Sequence, residues 1–466
     1  MKPWRWQNRA RLARRLCSYR MRPSRLKGDE MQLLPDRPRV AGSALTTPHF
    51  LLLYAAMLVA AAGNTALQSV MPAIGREVGI PDFWVTVSYT WSAILWVLLA
   101  PFWARQSDRH GRKALTLLGV SGFIMSMTLC GLALLAGLKG VLAGGVTFIT
   151  FGVCRAIYGS LGSATPSATQ AYLASKTRRI ARVEALSALS SSFSLGTIVG
   201  PALAPLFVLP IVGLAGPLFV FAAIAVLVFL AILTGLPDDT RPRHGPRPGH
   251  GAAMSYPSLA SAPTGASIIA ATRPKGKPLK WNDPRIRRWI MAGVISGHAQ
   301  AGTLACIGFF VIDRLNLAPH GSEKSISIVM MAGAAGTLAG QWGLIPRLRL
   351  SPRALILWGS LISATGMVVT MSAGELYGIV LGFGLTSLGF GFIRPGFTAG
   401  ASLAVPLAEQ GGVAGVVTAA NGSAYVLAPG IGMLLYAADP HWPFLIGAAL
   451  LLGLVLWGRG RLAVPA

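Results

Sequence analysis

Acidic residues are scarce in this sequence, which has 15 Asp and Glu against 41 Lys and Arg in 466 residues. Charged residues make up only 12% of the chain and hydrophobic residues 53%, whereas soluble domains carry about 25% charged residues. A soluble globular protein is therefore excluded. The net charge of +26 is typical of nucleic-acid-binding proteins, but here the basic residues lie between apolar runs, so we expect no nucleic-acid partner.

Cysteines and catalytic motifs are also sparse. The four cysteines are Cys17, Cys130, Cys154 and Cys306, and no pair of them has the spacing of metal ligands, which excludes a disulfide framework and a zinc site. The sequence contains no H-E-x-x-H, G-x-S-x-G or Walker pattern. We therefore expect no catalytic residues, no metal and no organic cofactor.

Long apolar runs make up most of the chain. Most approach the ~20 residues that an α-helix needs to cross a bilayer, and a backbone in lipid must be helical to pair its own polar groups. We therefore predict an all-α membrane protein with twelve transmembrane helices. The runs cover residues 49–71, 84–104, 114–136, 143–169, 184–208, 214–236, 289–311, 325–345, 354–373, 376–400, 412–437 and 442–458.

The distribution of Lys and Arg predicts the orientation. Most of these residues fall in the N-terminal tail, the C-terminal tail and every second loop, and such segments remain in the cytoplasm. The loops on the other side hold only Arg76, Lys139, Arg314 and Lys324. We therefore predict that both termini lie inside.

The runs divide into two equal groups around residues 237–288, which are rich in Pro, Gly and basic residues. Two pseudo-symmetric six-helix bundles joined by a cytoplasmic linker are typical of two-repeat transporters. The basic residues 1–48 are interpreted as a cytoplasmic tail, with a mitochondrial presequence or a later start at Met31 as alternatives. The predicted domains are the tail 1–48, the bundles 49–236 and 289–458, the linker 237–288 and the C-terminal tail 459–466.

A charge-dense segment joins the second and third runs at residues 104–113. Its sequence ARQSDRHGRK resembles the loop signature of the major facilitator superfamily, G-x-L-a-D-r-x-G-r-k, with departures at Ala104 and Gln106. The matching residues are Asp108, Arg109, Gly111, Arg112 and Lys113. The resemblance implies a gating loop whose aspartate faces the positive N-terminal end of the eleventh helix and latches the outward-open state.

Two further patterns resemble motifs of the same superfamily. In the fourth run, Arg155 begins RAIYG, which is similar to R-x-x-q-G and implies a role in proton coupling. Such a deep charge normally faces a cavity, although an arginine that snorkels or pairs with a backbone carbonyl is the alternative.

In the fifth run, Gly196, Gly200 and Pro201 match the drug/proton antiporter signature, and the resemblance implies packing between the halves. The expected partner is the small face of helix 8, formed by Ala332, Gly333, Gly336 and Gly340.

Polar residues inside the apolar runs are candidates for a substrate cavity, which the resemblance implies is lined by helices 1, 4, 7 and 10. The alternative role for each is an interhelical hydrogen bond, worth ~0.6 kcal/mol on average in membranes. The candidates are Asn64, Gln68, Arg155, His298, Gln300, Arg394, Asn421 and Tyr425.

Carboxylates are missing from helices 1 and 4, where related antiporters often carry the group that binds the proton. Histidine titrates near neutral pH, so His298 is the candidate for coupling together with Arg155. Because the buried charges Arg155 and Arg394 are cationic, we expect an anionic or zwitterionic solute rather than a lipophilic cation.

The sequence thus predicts a monomeric secondary transporter of the bacterial inner membrane, surrounded by lipid, that works by alternating access. We expect it to export a small molecule, such as a drug-like compound or a siderophore, in exchange for protons. Uptake by proton symport and a transporter-like sensor without transport are the alternatives. A membrane enzyme is not supported by any motif.

Overall fold

A computed structural model describes residues 47–177, 182–238, 279–406 and 409–462. The predicted N-terminal tail and most of the linker 237–288 lie outside these residues. Helices account for the regular structure of the described chain, apart from an isolated β-bridge between Leu209 and Gly213. The α-helical part of the fold prediction is confirmed.

Twelve helices follow one another along the residues that the structure describes. The first six are α1 (Thr47–Glu77), α2 (Asp82–His110), α3 (Arg112–Leu138), α4 (Gly144–Ile157, continued by Ala164–Lys176), α5 (Arg182–Leu203) and α6 (Gly216–Gly235). The last six are α7 (Arg287–Arg314), α8 (Ser322–Leu338, continued by Ile345–Leu348), α9 (Pro352–Ser372), α10 (Leu376–Leu403), α11 (Gln410–Ala438) and α12 (Trp442–Arg461).

Nine helical stretches in the described residues are long and apolar enough to cross a membrane. The helices outside this group are α4, α5 and α11. A π-helical turn divides α4 at Tyr158–Gly162. The structure therefore supports a polytopic membrane protein, while the crossing of all twelve helices stays a prediction.

The two sets of six helices have the same internal packing. Helix α1 packs on α5 and α6, and α3 packs on α4 and α6. In the second set, the equivalent helices have numbers six higher and make the same contacts: α7 packs on α11 and α12, and α9 packs on α10 and α12. Between the sets, α2 contacts α11 and α5 contacts α8. These two contacts are equivalent by the same pseudo-symmetry, because α8 corresponds to α2 and α11 to α5. The structure is therefore two pseudo-symmetric bundles.

The segment 104–113 is mainly helical, which corrects the prediction of a loop. Helix α2 continues to His110 and α3 begins at Arg112. Only Gly111 separates them, with a φ of 95°, a conformation that glycine adopts at little steric cost. The reversal of the chain thus depends on the glycine of the motif, and the preceding charges belong to the last turns of α2.

The two ends of the bundle need names. The distal end is the one at which α1 ends and α2 begins, near Glu77 and Asp82. The proximal end is the opposite one, at which α2 ends and α3 begins. The prediction from Lys and Arg puts the proximal end in the cytoplasm.

Candidate functional site

A cavity lies between the two bundles, in the distal half of the molecule. Its empty volume is ≈ 720 Å³, part of it open to solvent, within the range of small-molecule sites. Helices α1 and α2 supply one wall and α7, α8 and α11 the other. The lining is largely apolar, and its polar side chains are Gln68, Thr86, Tyr89 and Tyr425.

Arg155 is fully buried, with 0% exposure, and has aromatic and amide partners. Its Nη2 donates a hydrogen bond to Oδ1 of Asn64 on α1. The guanidinium lies 4.7 Å from the ring centre of Tyr158 and 5.9 Å from that of Tyr89. Because Tyr89 also lines the central cavity, one aromatic ring lies between the positive charge and the cavity.

The π-helical turn follows Arg155 directly and lets α4 approach α2. At Gly159 a Cβ atom would lie 2.5 Å from the carbonyl oxygen of Ser92 on α2, a distance that any larger residue would have to increase. The Ser92 hydroxyl in turn donates to the carbonyl of Arg155 at 3.2 Å. The glycine of the R-x-x-q-G pattern therefore has a steric role, and π turns are frequent at functional sites.

The glycines of the antiporter signature face α1, within their own bundle. A Cβ at Gly200 would lie 2.2 Å from the carbonyl oxygen of Ala62, and one at Gly196 would lie 2.6 Å from that of Leu58. This corrects the expected pairing with the small face of α8. That face lies against α10, where a Cβ at Gly336 would be 2.3 Å from the carbonyl oxygen of Gly384.

The packing of α5 on α1 bears on the Arg155 site. Residues Ala62 and Thr65, which contact Gly200, flank Asn64 in sequence. The Thr65 hydroxyl also lies 3.4 Å from the carbonyl oxygen of Gly196, to which it donates. The close approach of α5 to α1 therefore helps to hold Asn64 beside Arg155. Pro201 follows Gly200 and lies inside α5.

The predicted cavity residues of the second bundle are spread over several places. Arg394 on α10 is 8% exposed and lies within electrostatic range of Tyr425. Gln300 lines a small neighbouring cavity that shares Leu304 with the central one. Asn421 is half-buried on α11, one turn before Tyr425.

His298 is half-buried on α7. Its Nδ1 lies 2.8 Å from the carbonyl oxygen of Val294 in the same helix. Because a carbonyl only accepts, this hydrogen bond requires the tautomer with the proton on Nδ1, in which Nε2 is an acceptor. The side chain does not line the central cavity.

A cluster of ion pairs closes the distal end above the cavity. Arg76 at the end of α1 donates from Nη2 to Asp82 of α2 at 2.7 Å and to Asp313 of α7 at 2.8 Å. The hydroxyl of Tyr436 on α11 donates to the same Asp313 carboxylate. The guanidinium also lies 5.5 Å from the ring centre of Phe309, a residue of the cavity wall. This distal ion-pair cluster joins one bundle to the other.

The sequence reasoning missed this cluster, although Arg76 and Asp313 carry opposite charges at helix ends assigned to the same side. It also missed Glu323, which lies in the first turn of α8, two residues before the predicted start of that helix. Glu323 is 3% exposed, and its Oε2 has no hydrogen-bond partner among the described residues. Met330, seven residues on and hence on the same helical face, lines the central cavity.

The gating segment is described only in part. The side chains of Asp108 and Arg109 lie outside the part of the chain that the structure describes. Arg112 is buried at the start of α3, and the neighbouring Lys113 forms a 3.0 Å ion pair with Asp238, just after α6. The predicted contact of Asp108 with the start of α11 stays a prediction, although α2 and α11 do pack together.

Two pseudo-symmetric helical bundles with a cavity between them are typical of membrane transporters. The family model of the Major Facilitator Superfamily matches residues 53–348, and the chain belongs to this superfamily. The resemblance inferred from the sequence motifs is thereby confirmed.

Two known proteins resemble the chain. The multidrug resistance protein MdtG of Proteus mirabilis (strain HI4320) is 26% identical over 186 residues, which are 39% of this chain and 43% of MdtG. The match thus spans less than half of this relative. The crystal structure of the human organic anion transporter MFSD10 (TETRAN) has a TM-score of 0.57 at 18% identity, over 88% of this chain and 99% of that one. This second likeness concerns the fold.

Proposed function

We propose that the chain is a secondary active transporter that exports a small molecule by alternating access, in exchange for protons. The observation that carries the proposal is the central cavity, which both bundles line and the distal ion-pair cluster closes. Because Arg76 and Asp313 belong to different bundles, a rocking of one bundle against the other separates them and opens the distal end. With both termini inside, as the basic residues predict, that end faces outward from a bacterial inner membrane.

Export rather than uptake is supported by two observations of unequal weight. The fifth helix carries the Gly-Pro pattern of drug/proton antiporters, and Gly196 and Gly200 pack closely on α1. In addition, the partial relative MdtG is named as a multidrug resistance protein. Both favour movement out of the cytoplasm.

The proposed substrate is an anionic or zwitterionic molecule. Arg155 and Arg394 are buried cations in the two bundles, and a positive charge near a cavity attracts an anionic group. A solute carboxylate or phosphate beside Tyr89 would lie close to the Arg155 guanidinium. The polar side chains of Gln68 and Tyr425 on opposite walls of the cavity offer donors for orientation.

Two titratable side chains are proposed for the proton. The Nε2 atom of His298 is available because Nδ1 is held by Val294. Glu323 has a buried carboxylate oxygen on the cavity face of α8. The proton gradient is then the energy source, and no organic cofactor is needed.

Flux into inverted membrane vesicles with an imposed pH gradient tests the function. We expect gradient-dependent accumulation of organic anions from a panel that also contains quaternary ammonium dyes. Loss of one hydrogen-bonded charge in Arg155→Ala should raise the apparent KM for the anion roughly tenfold or more. Transport of the dyes that is unchanged in both Arg155→Ala and Arg394→Ala would contradict the anionic substrate. Accumulation only in right-side-out vesicles would indicate uptake, and no gradient-dependent flux would contradict active transport.

A further inference from the structure

An apolar groove runs between α7 and α12 on the outer surface of the second bundle. Its empty volume is ≈ 840 Å³, much of it open at the surface. The lining includes Met291 and Ile295 of α7 and Leu450, Gly453, Leu454 and Trp457 of α12. A Cβ at Gly453 would meet no atom within 4 Å, so this glycine leaves a notch in the wall. The groove suits a flexible hydrocarbon chain lying along the helices.

The groove has a cationic proximal end. Arg287 and Arg288 begin α7, and Arg459 and Arg461 end α12, and all four are exposed. Met291 and Ile295 follow Arg288 by three and seven positions, and Arg461 follows Trp457 by four, so these arginines continue the helical faces of the groove. Arg288 donates from Nη1 to the carbonyl oxygen of Arg461 at 3.2 Å, which ties the two helix ends together.

The acidic groups nearby are already occupied. Arg285 pairs with Asp283 and with Glu409, both at 2.8 Å, and its guanidinium lowers the pKa of the Asp283 carboxyl. Within the described residues, no ion pair involves the arginines at the groove end. These four exposed side chains are therefore accessible to an anionic group outside the described chain.

We propose that this groove binds an anionic phospholipid of the leaflet at the proximal end. One acyl chain lies against Leu450 and Ile295 and fills the notch at Gly453, while the headgroup phosphate contacts Arg288 and Arg461. Trp457 lies at the depth where an indole ring prefers the boundary between hydrocarbon and headgroups. Charge complementarity selects this occupant, since a zwitterionic lipid carries an ammonium group that opposes the arginines.

Binding of fluorescent phosphatidylglycerol to the purified protein in phosphatidylcholine vesicles tests the site. The double variant Arg288→Gln with Arg461→Gln should bind it about 30-fold more weakly, since each arginine near an anionic lipid contributes roughly fivefold. The matched control is Arg347→Gln with Arg349→Gln, which removes two exposed arginines at the same end but away from the groove. Equal weakening by both pairs would mean a general attraction to the basic surface and would overturn the site.

A second pair of variants keeps the charge and changes the groove alone. Gly453→Leu introduces a side chain where a Cβ meets no atom, so the fold is retained while the notch is filled. We expect it to bind phosphatidylglycerol at least several-fold more weakly, and Gly460→Leu, which also meets no atom but lies outside the groove, to bind normally. Normal binding by Gly453→Leu would overturn the proposal whatever the arginine variants do. Because binding is measured without transport, this outcome is independent of the proposed export.

Discussion

Arg155 of α4 is held by Asn64 of α1, which accepts a hydrogen bond from its Nη2. The fully buried cation of the first bundle is thus tied to the first helix through a side-chain amide. The pair also joins two helices that the sequence assigns separately to a cavity. Changes at Asn64 therefore separate the structural role of the pair from its electrostatic role.

We expect Asn64→Ala to destabilise the protein by about 1–3 kcal/mol, because a buried guanidinium loses a partner. Asn64→Asp should keep the fold but reduce anion export, since the new carboxylate neutralises Arg155. Thermal unfolding in detergent and flux in inverted vesicles measure the two effects. Ser69→Ala on the same helix, whose hydroxyl donates to the carbonyl oxygen of Ala66 in its own turn, is the control. Undiminished anion export by Asn64→Asp would contradict the role of the Arg155 charge.

Loss of the cross-bundle ion pair should favour opening at the distal end. Partly exposed ion pairs contribute roughly 0.2–1 kcal/mol, so Asp313→Asn should raise the open fraction about two- to fivefold. Labelling of a cysteine placed at Thr86 in the cavity wall, in a background without the native cysteines, measures this fraction from the distal side. Asp439→Asn is the control because its partner His441 lies only two residues away. The exchanged pair Arg76→Asp with Asp313→Arg should restore closure in part, and its failure would argue against a direct ion-pair effect.

The glycine face of α5 should not tolerate a larger residue. A Cβ at Gly200 lies 2.2 Å from both Ala62 O and Thr65 Oγ1, so Gly200→Leu should cost at least about 1–3 kcal/mol from overpacking. Gly430→Leu in α11 is the matched control, because it also adjoins a proline and a Cβ there meets no atom within 4 Å. Folded yield and melting temperature measure the difference. Similar melting temperatures for both variants would mean that α1 and α5 separate easily.

Protonation at Glu323 and at His298 can be told apart. If Glu323 carries the proton, Glu323→Gln should abolish the response of export to the pH gradient and retain exchange of labelled for unlabelled substrate. His298→Gln should behave in this way if the proton is bound at Nε2 instead. Ser327→Ala, one turn from Glu323 and also buried, controls for local packing. A normal gradient response in both variants would remove these two groups from the coupling mechanism.

The gating segment predicts a further loss of function without unfolding. Asp108→Asn should leave insertion and melting temperature unchanged but lower transport, because the N-terminal end of α11 loses a negative partner worth about 0.3–1 kcal/mol. Asp238→Asn, which removes the exposed partner of Lys113, is the control at the same end. Transport equal to that of the unchanged protein would reduce the motif to a determinant of topology.

The order of the helices and the apolar part of each could be predicted from the sequence because apolar length and the need for backbone hydrogen bonds leave few alternatives in lipid. The π turn after Arg155 could not, since it depends on how closely Gly159 approaches Ser92 of another helix. The end of α2 was misjudged for a related reason. Charged residues are typical of loops, yet they also complete a helix that extends beyond the apolar layer.

The site could be predicted only as a set of separate residues. Asn64 and Arg155 were both selected, but their contact depends on the packing of α1, α4 and α5. A glycine pattern predicts that a helix has a face for close packing but does not identify the helix that packs there. The helix that contacts Gly200 was therefore predicted wrongly. Glu323 was overlooked because an apolar run begins later than the helix that contains it, and burial of a first-turn carboxylate becomes visible only once α7 and α8 are packed.

The single residue between α2 and α3 has a mechanical consequence. Gly111 alone connects the two helices. This connection is too short to absorb a tilt of α2, so the tilt acts directly on α3. A movement of α2 at its contact with α11 is therefore transmitted to the first bundle through the start of α3.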